Sequence, residues 1–136
     1  MQKQKIKKLI DELIEYSNDG HIIIVEGKRD KISLQKLNIK GRIEVLKSKS
    51  LLIFSETVAS YKKNIIILTD WDRRGDMIAL KILGYLQNLR INPNTKLRAK
   101  FKSCLKKDIK DVESLYNYYV RLDGDYIEYF YDGFSK

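Results

Sequence analysis

The sequence predicts an α/β fold, in which helices flank a mainly parallel sheet of four strands. Two short apolar runs carry this prediction, because residues 22–25 read Ile-Ile-Ile-Val and residues 65–68 read Ile-Ile-Ile-Leu. Runs of this length, rich in β-branched side chains, are typical of strands that are buried on both faces. Each run is followed by a segment with helical spacing of its apolar residues, and that alternation is typical of a parallel sheet.

The first half of the chain is predicted to contain two helices and two strands. An amphipathic helix is predicted over residues 3–17, where apolar residues recur at the i, i+3, i+4 and i+7 positions of one helical face. The first strand is predicted over residues 21–26 and the helix after it over residues 29–38. Apolar and polar residues alternate at 42–46, which predicts a shorter and less buried strand.

The second half of the chain repeats this alternation of helices and strands. Ser50 is predicted to cap the helix that precedes the third strand, which is predicted over residues 64–70. Residues 75–90 form a long helical pattern that is apolar over most of its circumference, so this helix is predicted to be the best buried. A final helix is predicted to begin at Asp108 or Asp111.

Basic residues alternate with apolar or small residues between these last two helices, at Lys96, Arg98, Lys100 and Lys102. The alternation predicts a fourth strand over residues 96–102 with one basic face, at the edge of the sheet. Such a face can follow the backbone of a nucleic acid, which makes these four residues a candidate nucleic-acid surface. Alternatively, the charges protect an edge strand against pairing with other chains.

Acidic residues follow the two apolar strands at the point where each strand ends. Glu26 follows the first strand, and Asp70 and Asp72 follow the third. Residues two apart in an extended chain point to the same side, so Asp70 and Asp72 can face one point while Trp71 packs in the core. If the two strands are parallel neighbours, about 4.8 Å apart, Glu26 faces Asp70. Carboxylate oxygens are ligands that Mg²⁺ prefers, although each of these acids could instead cap a helix or lie in solvent.

Residues 25–30, Val-Glu-Gly-Lys-Arg-Asp, and residues 70–75, Asp-Trp-Asp-Arg-Arg-Gly, resemble the Toprim domain. Topoisomerases, bacterial primases and the 5S rRNA-maturing ribonuclease M5 share this domain. The resemblance spans roughly residues 20–120, and the whole chain most resembles small stand-alone Toprim proteins of archaea that are similar to ribonuclease M5. The residues that carry the resemblance are Glu26, Gly27, Asp70, Asp72 and Gly75.

The resemblance implies a Rossmann-like Toprim fold and an activity. It implies that Asp70 and Asp72 hold Mg²⁺, with Mn²⁺ as an alternative, and that Glu26 both binds the metal and acts as a general acid or base. The implied function is that of an M5-like endoribonuclease that cleaves structured RNA. The alternative is a module that binds metal, nucleic acid or a partner protein without turnover. Primase and topoisomerase activities are disfavoured, because neither a zinc-binding segment nor room for a strand-passage clamp is expected.

Cations and a glycine flank the acids in both motifs. Phosphate binding is a candidate role for Lys28, Arg29, Arg73, Arg74 and Gly75. The alternative is that the cations balance the charge of the neighbouring carboxylates. Asp76 is a candidate for the outer coordination shell of the metal, or else an acid that is favourable in a first helical turn.

The composition bounds the remaining expectations. The net charge is +9, and a basic surface favours nucleic-acid phosphate as partner, with RNA favoured over DNA; solvated lysine-rich helix faces are the alternative. The single cysteine excludes an internal disulfide. The sequence contains no run of about 18 apolar residues that would predict a membrane span, so we expect a cytoplasmic protein.

We expect a single domain over residues 1–136 with its core at about 20–120. Its oligomeric state stays open, and the aromatic tail, residues 122–136, either docks on the domain or binds a partner.

Overall fold

The computed structural model describes residues 1–46 and 50–122, which form a parallel sheet between two layers of helices. The sheet contains β1 (Ile22–Val25), β2 (Ile43–Val45) and β3 (Ile65–Ile67), in the order β2-β1-β3. Both pairs of neighbours are parallel, and in register Ile24 lies between Glu44 and Ile67. The predicted parallel α/β fold is therefore confirmed, and β1 lies at its centre with all four residues buried.

The predicted fourth strand is wrong, because residues 96–102 belong to a helix, α5 (Lys96–Leu105). The only trace of a fourth strand in the described part of the chain is one parallel bridge between Asn94 and Ile66. The side chain of Asn94 then accepts a hydrogen bond from the Leu97 N–H at 3.1 Å, which turns the chain into the helix. Leu97, Phe101 and Leu105 are fully or almost fully buried. Their spacing of four residues outweighs the alternation of basic residues that suggested a strand.

The other helices lie close to their predicted positions, except that the last one begins at Leu115 and not at Asp108 or Asp111 as predicted. Ser50 caps α3 as predicted, since its hydroxyl oxygen accepts a hydrogen bond from the Ile53 N–H at 3.4 Å. The described helices besides α5 are α1 (Gln2–Asn18), α2 (Lys28–Lys36), α3 (Leu51–Ala59), α4 (Arg73–Asn88) and α6 (Leu115–Leu122). Most of the predicted aromatic tail, residues 123–136, lies outside the described residues.

The sheet separates two apolar cores, because successive strand residues point to opposite faces. Ile23 and Val25 of β1 belong to a core with residues of α1, α2, α5 and α6. Ile22 and Ile24 belong to a second core, with residues of α3 and α4. The carboxyl ends of β1 and β3 lie side by side, and α2 and α4 begin there. Polar side chains gather at that edge of the sheet.

The prediction that the long helix is the best buried is wrong. Only one stripe of α4, consisting of Gly75, Ala79, Ile82 and Leu86, is buried. Met77 and Leu80 are 56% and 69% exposed, because no further layer covers the outer side of this helix among the described residues. No helix within residues 1–46 or 50–122 is both long enough and apolar enough to cross a membrane.

Candidate metal centre

Glu26 and Asp70 meet at the carboxyl edge of the sheet, as the pattern of strand ends predicted. The main-chain N–H of Asp70 donates a hydrogen bond to Glu26 Oε2 at 2.9 Å. This contact is possible because β1 and β3 are parallel neighbours whose ends lie at the same edge. Together with Asp72, which follows Asp70 by two residues, these side chains form what is called the acid cluster below.

The Asp70 carboxylate is positioned by the segment that leads into α6. Its Oδ1 accepts a hydrogen bond from the Val112 N–H at 2.9 Å. The neighbouring Trp71 holds the same segment through its main-chain N–H, 2.9 Å from the Lys110 carbonyl oxygen, and its Nε1, 2.7 Å from that of Ile109. Trp71 is 2% exposed, which confirms its predicted packing in the core. The contribution of this segment has no local signal in the sequence, because it is separated from Asp70 by some forty residues.

Asp72 has a local role at the start of α4. Its Oδ1 accepts a hydrogen bond from the Gly75 N–H at 2.7 Å and so caps the helix. Gly75 is required there, because a Cβ atom at this position would overlap the carbonyl oxygen of Asp70. The hydroxyl of Thr69 donates to the Gly75 carbonyl oxygen at 2.8 Å. The loop between β3 and α4 is therefore closed tightly on itself, with the Asp70 and Asp72 carboxylates at its ends.

The acid cluster fits a divalent cation in the kind of ligand that it offers. Each carboxylate uses one oxygen to accept a main-chain N–H, and a carboxylate has a second oxygen that can bind a cation. The ligands are not preassembled, however. Within the described residues no three His, Cys, Asp or Glu side chains form a group that could hold a metal ion as they stand. Glu26, Asp70 and Asp72 are the residues that would hold Mg²⁺ after side-chain adjustment.

Burial and the charges of neighbouring acids raise the pKa values of Glu26 and Asp70. Burial, helped by the charges of neighbouring acids such as Asp72, raises the pKa of Asp70 to about 6 against the hydrogen bond from Val112, which lowers it. Burial also raises the pKa of Glu26, and the charges of Asp70 and Asp72 add to this effect. Perturbed carboxylates clustered at the end of a sheet are typical of functional sites, because a bound cation would relieve their repulsion.

Asp30 is a further buried acid beside the cluster that the sequence did not single out. It is 6% exposed, and its Oδ2 accepts a hydrogen bond from the Gly27 N–H at 3.0 Å. Burial raises the pKa of Asp30 to about 6, and the charge of Glu26 contributes to the shift. Its position three residues after Gly27, at the start of α2, is the signal of a helix cap that could have located it.

Arg98 of α5 supports the loop between β3 and α4, which carries Asp70 and Asp72. This residue is 9% exposed, and its Nε donates to the Thr69 carbonyl oxygen at 3.0 Å. Its Nη2 donates to the carbonyl oxygen of Asp70 and, at 2.6 Å, to Oδ1 of Asp76. Lys102 Nζ lies 2.6 Å from the other oxygen of Asp76. One buried guanidinium thus joins the end of β3 to the first turn of α4.

Both oxygens of Asp76 are therefore bound by cations of α5. Burial alone would raise the pKa of Asp76, but the hydrogen bonds from Lys102 and Arg98 outweigh it and hold the pKa below its usual value. These contacts give Asp76 a structural role, because they hold the first turn of α4 against α5. The predicted role in the outer coordination shell of a metal stays a prediction.

The four basic residues of α5 do not share one face, so that part of the sequence interpretation is wrong. Successive alternate residues of a helix are about 200° apart, which distributes them around the axis. Lys96 and Lys100 are exposed, with Lys100 Nζ 3.5 Å from a Glu12 carboxylate oxygen. Arg98 and Lys102 point to Asp76. A role of Lys96 and Lys100 in nucleic-acid binding stays a prediction.

The cations of the two motifs lie in the first turns of α2 and α4. Lys28, Arg29, Arg73 and Arg74 are all exposed, and the charge of Arg74 acts to lower the pKa of Glu26. The first turn of a helix carries exposed N–H groups and the positive end of the helix dipole. Positive charge therefore surrounds the acid cluster on two sides, which is favourable for a phosphate that approaches a cation in its centre.

The raised pKa of Asp70 predicts an unusual pH dependence of stability for the metal-free protein. A carboxyl whose pKa rises from 3.8 to about 6 on folding binds its proton more tightly in the folded state. This group therefore contributes stability below about pH 4, and the contribution is lost as the pH rises towards 6. With EDTA present, Asp70→Asn should gain stability relative to the wild type as the pH rises from 4 to 7, measured by urea unfolding.

Asp19→Asn is the matched control, because Asp19 is an exposed acid at the end of α1. Its stability should follow the wild type across the same pH range. An equal pH dependence for Asp70→Asn and Asp19→Asn would contradict the repulsion and burial assigned to Asp70.

Replacing Arg98 should destabilise the protein through the loop of the acid cluster. Arg98→Met leaves the carbonyl oxygens of Thr69 and Asp70 without their donor, and we expect a loss of about 2–3 kcal/mol in the free energy of unfolding. Lys100→Met, on the exposed side of the same helix, should change it by less than about 0.5 kcal/mol. Urea unfolding followed by the fluorescence of Trp71 measures both, and equal losses would contradict the role given to Arg98.

Comparisons with known proteins agree with this geometry. Residues 21–104 match the Toprim domain, well over half of the chain. A UPF0292 protein of Methanosarcina barkeri is 49% identical over 119 residues, covering 88% of this chain and 83% of its own. A UPF0292 protein of Pyrococcus abyssi is 44% identical over 114 residues, covering 84% of this chain and 83% of its own.

A solved structure, described as a putative protein from Aquifex aeolicus, superimposes with a TM-score of 0.68 at 27% identity. It covers 79% of this chain and 95% of that one. The predicted likeness to archaeal Toprim proteins is confirmed, whereas the similarity to ribonuclease M5 stays a prediction. The chain belongs to the Toprim domain family, and its archaeal relatives are UPF0292 proteins.

Proposed function

We propose that this protein hydrolyses phosphodiester bonds of nucleic acid with Mg²⁺ bound at Glu26, Asp70 and Asp72, and that Mn²⁺ can replace Mg²⁺. The proposed reaction is that of an M5-like endoribonuclease, with structured RNA as the favoured substrate. One observation carries the proposal: the acids of two parallel strands converge, with the Asp70 N–H bonded to the Glu26 carboxylate. The surrounding cations and the net charge of +9 support a phosphate-bearing substrate.

The residues at the site would have distinct roles in such a reaction. Asp70 and Asp72 would hold the cation, which when bound polarises a phosphate oxygen and lowers the pKa of a water molecule. The raised pKa of Glu26 suits a general acid or base, because it lies closer to neutral pH than that of an ordinary glutamate. Arg73 and Arg74 would orient the phosphate from the first turn of α4.

The second candidate function is a module that binds metal and nucleic acid without turnover. It is favoured by the state of the acid cluster, in which each carboxylate already accepts a main-chain hydrogen bond. These hydrogen bonds give the carboxylates a role in stabilising the loop, which they can fulfil without taking part in a reaction. Metal binding is common to both candidates, and only cleavage separates them.

The metal site is tested by removing the charge of the two aspartates. Asp70→Asn with Asp72→Asn should lower Mn²⁺ affinity at least tenfold, because two of three anionic ligands become neutral. The fold should persist, because asparagine also caps helices and the repulsion at the site is reduced. Isothermal titration with Mn²⁺ measures the affinity, and Asp11→Asn, an exposed acid of α1, is the control. Unchanged affinity in the double variant would contradict the assignment.

Cleavage is tested with Glu26→Gln on pools of structured RNA and of DNA, with Mg²⁺ and with EDTA. The amide keeps the shape of the side chain but accepts no proton, so cleavage should fall by about 10²–10⁴-fold. Nucleic-acid binding should survive, because phosphate affinity comes mainly from lysine and arginine. Glu44→Gln, on the neighbouring strand β2, is the matched control and should cleave like the wild type.

The two outcomes of this experiment decide between the candidates. Full activity in Glu26→Gln would show that Glu26 is not the acid or base. A wild type that binds Mn²⁺ and nucleic acid but cleaves neither pool would contradict the nuclease and support the binding module.

A further inference from the structure

A groove of about 240 Å³ runs between α2 and α6, beside the acid cluster. Arg29, Lys36 and Tyr116 are among its lining residues. Two of its lining residues, Arg29 and Glu113, are chain neighbours of residues at the site. Arg29 precedes Asp30, which lies next to the cluster, and Glu113 follows Val112, whose N–H donates to Asp70. A ligand bound at the acid cluster could therefore place a neighbouring chemical group in this groove.

The aromatic ring of Tyr116 is the central feature of the α2–α6 groove. The main-chain N–H of Tyr116 donates to Ser33 Oγ at 3.1 Å, which ties α6 to α2 and sets the position of the residue. The ring is half-buried, and Lys36 Nζ lies 5.5 Å from its centroid. Ile32, 40% exposed, adds an apolar side chain to the same groove.

The charges of the groove favour an anionic ligand with a flat apolar part. Arg29 and Lys36 are cationic and exposed. The Arg29 guanidinium lies 3.6 Å from Glu113, the one acid among the described residues that line the groove. Aromatic rings accompanied by cations are used by proteins to stack unpaired nucleobases, irrespective of their identity. Lys36 lies over the Tyr116 ring, and its exposed side chain would turn towards a neighbouring phosphate when a base stacks there. The cations meet the phosphates on either side of such a base.

From this arrangement we infer that the α2–α6 groove binds one unpaired nucleobase, stacked on Tyr116, of the strand whose phosphate lies at the acid cluster. The inference rests on the proposed function for the placement of that phosphate. It adds a requirement for the substrate: the nucleotide beside the phosphate at the acid cluster is single-stranded, in a loop, a bulge or an end, because a paired base cannot leave its stack to enter the groove.

The test measures binding of a fluorescein-labelled oligoadenylate by anisotropy, in EDTA so that no cleavage occurs. Tyr116→Leu should weaken binding at least about fivefold, the loss expected for one stacked base, and Tyr116→Phe should bind like the wild type. Tyr61→Leu is the matched control. Tyr61 is also half-buried and carries Arg42 at 3.7 Å from its ring, but it precedes β3 and so lies at the opposite edge of the sheet.

Two further measurements distinguish the contribution of the base to binding from that of the phosphates, and they do not depend on the folding of Tyr116→Leu alone. An oligomer with abasic sites should bind wild type and Tyr116→Leu equally, because no base is left to stack. Lys36 is exposed, so Lys36→Met should leave the fold intact. This variant should weaken binding to the oligoadenylate and lower the slope of affinity against salt by about one.

Each outcome bears on the inference separately from the proposed function. Wild-type binding to oligoadenylate with no effect of Tyr116→Leu or Lys36→Met would overturn the groove and leave the acid cluster as a nucleic-acid site. Equal losses in Tyr116→Leu and Tyr61→Leu would also overturn it. Failure of the wild type to bind either oligomer would overturn the inference together with the nucleic-acid part of the proposed function.

Discussion

The hydrogen bond from the main-chain N–H of Asp70 to the Glu26 carboxylate joins the ends of β1 and β3, and the arrangement of the site depends on it. It brings acids that are 44 residues apart in sequence to one edge of the sheet. The contact has an electrostatic cost, because burial raises the pKa of both carboxylates and the charge of Asp70 raises the pKa of Glu26 further. A cation bound between them would turn this repulsion into attraction, so the same geometry favours metal binding.

The rest of the molecule holds this unfavourable cluster in place. Arg98 binds the carbonyl oxygens at the end of β3, the Val112 N–H binds the Asp70 carboxylate, and Gly75 lets the chain turn against Asp70. These contacts come from α5, from the segment before α6 and from the start of α4. The two apolar cores supply the stability that a strained polar edge needs. Packing and site are therefore coupled, and changes at Arg98 act on the cluster through the main chain of Thr69 and Asp70.

The sequence predicted the parts of this arrangement that follow from local patterns. Buried strands and the acids at their ends are visible because strand periodicity and side-chain chemistry are properties of a few consecutive residues. Arg98 was not recognised as buried, because its partners Thr69, Asp70 and Asp76 come from distant segments. Asp30 was missed although its partner Gly27 is only three residues away. Residues 96–102 were misread because their charges alternate, although Leu97, Phe101 and Leu105 already had the spacing of a buried helix. A charge pattern says less about an element than the spacing of its apolar residues.

In the proposed function a cation, a phosphate and an unpaired base lie at one edge of the sheet, and cleavage depends on the cation. The metal site can be located by diffraction from crystals soaked in Mn²⁺, with data collected at a wavelength where manganese scatters anomalously. We expect an anomalous peak in contact with Glu26, Asp70 and Asp72, with the carboxylates turned towards it. A peak elsewhere, or a saturating soak that leaves these three side chains without one, would contradict the proposed metal site.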